Sequence, residues 1–477
     1  MKKILVILIA TSMFSCKKSL TEDPKGQISG ENALNTLNGL NAALVGAYKP
    51  LSNTWTSGFA TAALDATLMG SDDLTTHPGS NKQEFRDLDQ FSVSNLNSRI
   101  FQIWSGTYKS IQGANNIINN YQLVTTNPNE VKQILGEAYF LRAFNYYWLV
   151  RLWGDIPMIK TAAYTPELSK ILKSSPAEIY KLIEEDLMQA ETLLGNTKLA
   201  LGRASKGSAK ALLADVYLTE GGWPLKNTSK IALAASKAKE VMDNKALYGF
   251  DITTPLSTLW GGTSAAVGTP EEVFALQFCP NCNWFNSNAI YGNSCMSSDE
   301  NGWDDYFSEI NFFNNFPEGL RKDITFQTVI KGLPWQNSTT GHPYFGKFRV
   351  NGGETTWQTA QSLPLIRYAH VLLIYAEAKA RSGSLDASAY SAVNAIRTRA
   401  GLPNLSDLSD ADFATAVVKE RSWEFAGEWT RWFDLTRLEM VESANAGKNS
   451  KDLPIIGPIK YYVPIPASEV ALNPNLK

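Results

Sequence analysis

Apolar and polar positions recur with a helical period over most of this chain. At about 3.6 residues per turn, Val418, Phe425, Trp429, Trp432, Phe433 and Thr436 fall on one side of a helix, and Glu420, Glu424, Glu428, Arg431 and Asp434 on the other. Carboxylates repeated four apart repel by a few tenths of a kcal/mol per pair, so cations must lie among them, and Arg431 stands in the same arc. The arc is predicted to be a paired network, a clamp of helix on helix in which the ionic groups fix register. Glu420 and Glu424 as a general acid and base are the alternative.

The same period predicts helices over 33–48, 100–121, 130–153, 176–194, 205–219, 231–242, 365–381, 387–400 and 410–438. Several ends are marked by their chemistry. Ser175-Pro176 supplies a cap and a first-turn proline, and Gly154-Asp-Ile-Pro157 stops the helix before it. Ala204, Ala209, Ala211 and Ala214 let a neighbouring helix approach closely. The stretch 52–97 is loop-rich, and from about 243 to 364 the period fades into glycine, asparagine and aromatic residues, with 272–278 reading as strand or buried loop. The prolines of 461–466 keep that tail extended. The expected class is mainly α, a tetratricopeptide-like superhelix of helix pairs with an irregular, loop-rich second lobe, although no strict repeat of about 34 residues is present.

The start of the chain has a different pattern. A short basic segment and a short apolar one read as a signal peptide over 1–15. Met13-Phe-Ser-Cys16 is similar to a bacterial lipoprotein processing site, with Cys16 the lipidated residue, although Phe14 departs from the usual small residue. Cleavage nearby in an ordinary secreted protein is the alternative. Residues 16–30 then form a tether and 31–477 one domain, with its scaffold at about 31–242 and 365–442 and its lobe at about 243–364. No other stretch approaches the about 18 apolar residues of a membrane span.

Composition narrows the chemistry. With 44 Lys+Arg against 46 Asp+Glu the chain has no bias toward nucleic acid. Its three histidines, His77, His342 and His370, argue against a His-based metal site or a Ser-His-Asp triad, and His370 is expected to be packed and hydrogen-bonded inside its helix. Cys279, Cys282 and Cys295 lack a fourth ligand at zinc spacing, so one bridge among the three is expected, its pairing open. Asp299, Glu300, Asp304 and Asp305 could gather calcium, but without EF-hand spacing they read as a solvated acidic loop. No cofactor is expected.

Five segments in order resemble the SusD/RagB family of outer-membrane nutrient-binding lipoproteins: the lipoprotein start, Trp104 to Ile118, Gly136 to Pro157, Glu420 to Arg437, and Tyr461-Tyr-Val-Pro-Ile-Pro466. The resemblance implies four tetratricopeptide-like units beside a variable lobe. It also implies a lipid-anchored, surface-exposed protein lying as a lid over a SusC-like TonB-dependent transporter. The implied ligand is an oligosaccharide or polysaccharide. Sugar rings pair apolar faces with a hydroxyl rim, so aromatic platforms beside polar groups suit them. Trp284, Tyr291, Trp303 and Trp335 in the irregular region are candidates, and the resemblance adds Trp55 and Asp72 from the loops after the first helix. Packing beneath a loop is the competing role for each tryptophan. Three other functions compete: a binder of a non-sugar nutrient such as peptides, a surface glycoside hydrolase using two carboxylates, and a plain helical-repeat interaction scaffold.

Overall fold

The computed structural model describes residues 34–52, 61–163, 165–279, 282, 288, 290, 296–349, 359–428 and 430–477. Its scaffold runs α1 (Leu37–Tyr48), α2 (Thr61–Leu68), α3 (Gln83–Asp89), α4 (Ser98–Asn120), α5 (Pro128–Trp153), α6 (Pro176–Leu193), α7 (Lys206–Glu220) and α8 (Ser229–Asp243). After the lobe come α9 (Tyr368–Arg381), α10 (Ala387–Arg399), α11 (Asp410–Glu424), α12 (Arg431–Arg437) and, in the tail, α13 (Ala467–Leu472). Each long helix packs on the next: α1 on α4, then α4 through α8 in series, α8 on α9, and α9 on both α10 and α11. This serial stacking is the predicted superhelix of helix pairs, with the lobe inserted between α8 and α9.

Local chemistry explains the element ends. Ser175 and Glu178 form a reciprocal capping box ahead of α6, with Pro176 in the first turn, a device that stabilises a helix by about 1 kcal/mol. In α7 the predicted close-contact alanines Ala209, Ala211 and Ala214 are fully buried. His370 accepts a hydrogen bond from the Arg367 amide and stacks on Phe425. Burial, with Arg367 and Arg421 nearby, holds its imidazole well below the usual pKa. No described helix is long and apolar enough to cross a membrane.

Three expectations are corrected. Residues 365–367 are strand, not helix: β2 (Leu363–Arg367) pairs antiparallel with β1 (Glu272–Leu276), and α9 starts only at Tyr368. Apolar runs this short carry no periodicity that separates strand from helix. Residues 410–438 form two helices, because the chain turns at Phe425–Glu428, where Gly427 has φ +70°. A Cβ at Gly427 would also stand 2.5 Å from the Phe345 ring, so glycine is required there twice over. The loop-rich 52–97 contains α2 and α3.

The lobe is stitched to the scaffold. Residues Leu74–Thr75 pair antiparallel with Phe307–Ser308. One core fills the scaffold and continues into the lobe through Phe274, Tyr306, Phe326 and Phe345. A smaller cluster of Phe307, Ile310, Ile330, Trp335 and Tyr344 lies beside it.

Candidate functional site

Two acid-rich constellations stand out, and they differ in what opposes the acids. Around the α11–α12 turn, Arg321 reaches Glu420 at 2.6 Å and Glu424 at 3.0 Å, while Arg397 takes the other Glu420 oxygen at 2.7 Å. Arg399 meets Glu424 at 2.7 Å, and Arg367 binds Glu424 at 3.0 Å and Glu428 at 2.8 Å. Lys347 closes the set on Glu428 at 2.8 Å. Burial alone would raise the Glu424 carboxyl, but Arg399, Arg367 and Arg321 hold it well below the usual range. The predicted paired network is present, but the cations on its glutamates come from the lobe, β2 and α10, those on Asp434 are Arg421 and Arg437, and Arg431 pairs with Asp72 instead. Both Glu420 oxygens and both Glu424 oxygens are taken by guanidinium groups, which leaves neither poised to exchange a proton with a substrate.

The second constellation is the loop 297–305. Gly302 donates to the Ser297 carbonyl at 2.8 Å, and a Cβ on it would fall 1.9 Å from the Met296 oxygen, so the turn admits only glycine. Asn301 and Asp304 adopt left-handed backbone conformations on either side of it. Four carboxylates then fasten the loop. Asp299 accepts from the Thr339 amide at 2.8 Å and hydroxyl at 2.7 Å. Glu300 is bidentate with Arg349 at 3.0 and 3.2 Å. Asp304 accepts from Tyr344 at 2.5 Å and from the Ser298 amide at 2.7 Å. Asp305 is ion-paired with Lys82, and its carbonyl accepts from Thr76 at 2.6 Å. Burial pushes the Asp305 carboxyl up to about 6 despite Lys82, whereas the Thr339 amide holds Asp299 below its usual value.

The product of this fastening is Trp303. It is 41 % exposed, whereas the other described tryptophans are buried or half-buried. An indole held out by a braced loop can stack on a flat apolar ligand face with little ordering cost.

The remaining candidates fall in different places. Trp335 is only 8 % exposed and packs edge-on against Phe313 in the small cluster beneath this loop, so its expected role as a platform is corrected to that of support. Asp72 is bidentate with Arg431 at 2.6 and 2.7 Å. It sits at the far end of the 74–75/307–308 pairing from Trp303, so the structure does not bring the two together. Trp55, Trp284, Tyr291, Cys295 and Cys16 lie outside the described residues. Cys279 is disulfide-bonded to Cys282. The acidic run 299–305 is not solvated as expected, since Asp304 and Asp305 are buried. Among the described residues no group of three or more His, Cys, Asp or Glu could hold a metal ion. The bracing partners Thr339, Arg349 and Lys82 escaped the sequence reading because their contacts cross tens to hundreds of positions.

The family described as "SusD family" matches residues 331–477, and one described as "Starch-binding associating with outer membrane" matches residues 24–218. The chain is 27% identical to SusD-like protein P2 of Formosa agariphila, over 99% of this chain and 98% of that one. A SusD superfamily protein from Parabacteroides distasonis superposes with TM-score 0.79 at 25% identity, covering 92% of this chain and 98% of its own. The surface glycan-binding protein A from Bacteroides uniformis shares the fold at TM-score 0.78 and 20% identity, over 92% of this chain and 98% of its own. SusD-type family models match the N-terminal and C-terminal parts of the chain, and its superhelix is shared with a SusD superfamily structure, so this is a SusD-like protein.

Proposed function

We propose that this protein is a lipid-anchored, surface-exposed glycan-binding lipoprotein of the outer membrane that passes oligosaccharides to a SusC-like TonB-dependent transporter and breaks no bonds itself. The observation that carries the reading is Trp303, an exposed indole on a loop braced from the lobe and from the N-terminal segment. A rigid, partly exposed aromatic face of this kind suits the apolar face of a sugar ring. Trp284, Tyr291 and Trp55 are the further aromatic residues proposed to complete the surface, and Cys16 the anchor. Glycan binding by a structural neighbour supports the same reading.

Isothermal titration of the purified protein against a panel of oligosaccharides and of peptides tests the ligand class. Saturable binding of at least one glycan is expected. A panel in which no glycan binds and a peptide binds tightly would overturn the sugar part. Incorporation of labelled palmitate into the wild-type protein but not into Cys16→Ser tests the anchor.

A further inference from the structure

Two buried donors are left over where α5, α7, α9, α11 and α12 come together. His370 Nδ1 accepts from the Arg367 amide at 2.9 Å, and a neutral imidazole that accepts at one nitrogen carries its hydrogen on the other. Burial, with Arg367 and Arg421 close by, keeps this ring neutral, so its Nε2 is a donor. Among the described residues, neither Nε2 of His370 nor Nη1 of Arg421 has a hydrogen-bond partner. Both side chains are buried, the residues being 6 % and 3 % exposed. Both stand against the Phe425 ring, the imidazole stacked at 3.8 Å and the guanidinium at 5.6 Å from its centre. Buried donors without acceptors are costly, the more so when one of them is charged.

The two residues line one hollow of about 40 Å³. About 10–15 Å³ holds one water, so there is room for a small ion with a water beside it and none for a sugar ring. Arg151, Asp215 and Thr430 also line the hollow and are half-buried, so it meets solvent on their side. Its charges do not balance. Arg151 lies between the Tyr147 and Phe433 rings, at 3.6 and 3.7 Å, and donates to the Tyr147 carbonyl, with no carboxylate partner among the described residues. Asp215 instead accepts from the Tyr147 hydroxyl at 2.9 Å. Asp434 is shared by Arg421 and Arg437, and Glu377 by Arg437 and Arg381. Four guanidinium groups therefore stand against three carboxylates. On the other side of the imidazole, Arg367 is matched by Glu271, Glu424 and Glu428.

From these observations we infer that the hollow is a binding site for one small monovalent anion of halide size, held by the Nε2–H of His370 and the Nη1–H of Arg421 and balancing the charge of Arg151. Hydrogen bonds from a guanidinium to an anion are among the strong ones, and a buried charge persists only where it is matched. A water would accept both hydrogens and leave the positive charge uncompensated. The anion ties α9 to α11 and, through Arg151, to α5, so it is part of the scaffold. The inference is independent of which ligand Trp303 meets.

The test uses the full chain, unfolded by urea at fixed ionic strength while chloride replaces methanesulfonate, a bulkier anion. One bound ion makes the folding equilibrium constant of the wild type rise nearly tenfold for each tenfold rise in chloride above its Kd. His370→Asn keeps an oxygen for the Arg367 amide, and Arg421→Lys keeps a cation for Asp434, but each removes one of the two free donors. Both variants are expected to flatten the chloride dependence, whatever they do to stability itself. In wild-type crystals soaked in bromide, an anomalous peak is expected beside His370 Nε2 and Arg421 Nη1. A wild-type slope of zero, a slope as steep in both variants as in the wild type, or a hollow holding only water in the bromide crystal would overturn the inference. The wild-type slope and the bromide peak decide it even where a variant does not fold.

Discussion

The α11–α12 turn and the 297–305 loop are built from the same residue types and do opposite things. Both are rich in carboxylates. At the turn, Glu420, Glu424 and Glu428 meet guanidinium and ammonium groups inside the protein, and nothing is left over for a ligand. In the loop, Asp299 and Asp304 spend themselves on amides and hydroxyls, Glu300 and Asp305 on single cations, and the loop they fasten carries a partly exposed indole. An acidic cluster therefore says little until its opposing groups are known. Where the opposition is cationic and buried it locks helices together, and where it is backbone it shapes a turn.

The strongest blow to this contrast falls on the turn. Arg367 is fully buried between Glu271, Glu424 and Glu428. Arg367→Met would leave three buried carboxylates short of a partner, a change that costs about 3–5 kcal/mol. Urea denaturation should show that loss, while the remaining folded protein keeps its glycan affinity. A loss below about 1 kcal/mol, the scale of an exposed pair, would mean the network is ornamental to the fold.

Acidity separates the two regions by sign. Glu424 and Asp434 are held ionised in the folded state, Glu424 by Arg399 and Asp434 by Arg421, against a burial that would raise them. Their contribution is full above the ordinary carboxylate pKa and is lost as pH falls below it. Asp305, in the loop, and Asp73 are pushed up to about 6 by burial. Between about pH 4 and 6 the unfolded chain has released these protons and the folded one has not, so their part of the stability falls as pH rises. Each such shift is worth on the order of 2–3 kcal/mol. Urea midpoints collected across that window should fall less steeply for Asp305→Asn than for wild type. Loss of the Lys82 partner lowers stability at every pH, so the slope rather than the level is the readout. An unchanged slope would show that Asp305 is ionised throughout.

Legibility in the sequence followed the same division. Helix positions, the Ser175 cap, the alanine contacts of α7 and the paired character of the Glu420–Asp434 arc rest on spacings within one or two turns, which a sequence displays directly. The partners of its glutamates do not: Arg321 lies 99 positions from Glu420, and Arg367 lies 61 from Glu428. The break at Gly427 was hidden because an amphipathic period continues across a turn when both arms face one core. Trp303 and Trp335 were indistinguishable as letters. What separates them is that one follows the Gly302 turn outward and the other starts a segment packed on Phe313.

That separation is open to measurement. Trp303→Ala should weaken glycan binding by about 2 kcal/mol, roughly 30-fold in Kd, as for a central aromatic contact. Being partly exposed, it should cost less stability than a buried indole, about 1 kcal/mol. Trp335→Ala should do the reverse and cost about 3 kcal/mol or more of stability, because it empties a packed cluster. Calorimetry and thermal unfolding of the two variants side by side would reverse the assignment if the effects were exchanged.

The finest test asks whether the bracing matters once the indole is present. Asp299 is the simplest strut to cut, since its two oxygens hold only the Thr339 amide and hydroxyl and the turn's own Ser297. Asp299→Asn keeps the shape, replaces charge-assisted bonds by neutral ones and should lower stability by only about 0.5–1 kcal/mol. If presentation depends on a stiff loop, glycan affinity should also fall a few-fold, because the ordering of Trp303 must then be supplied on binding. An unchanged affinity, with Trp303→Ala still damaging, would place the whole effect in the ring and none in its support. The loop would then differ from the buried turn only in exposure, and not in the use it makes of its carboxylates.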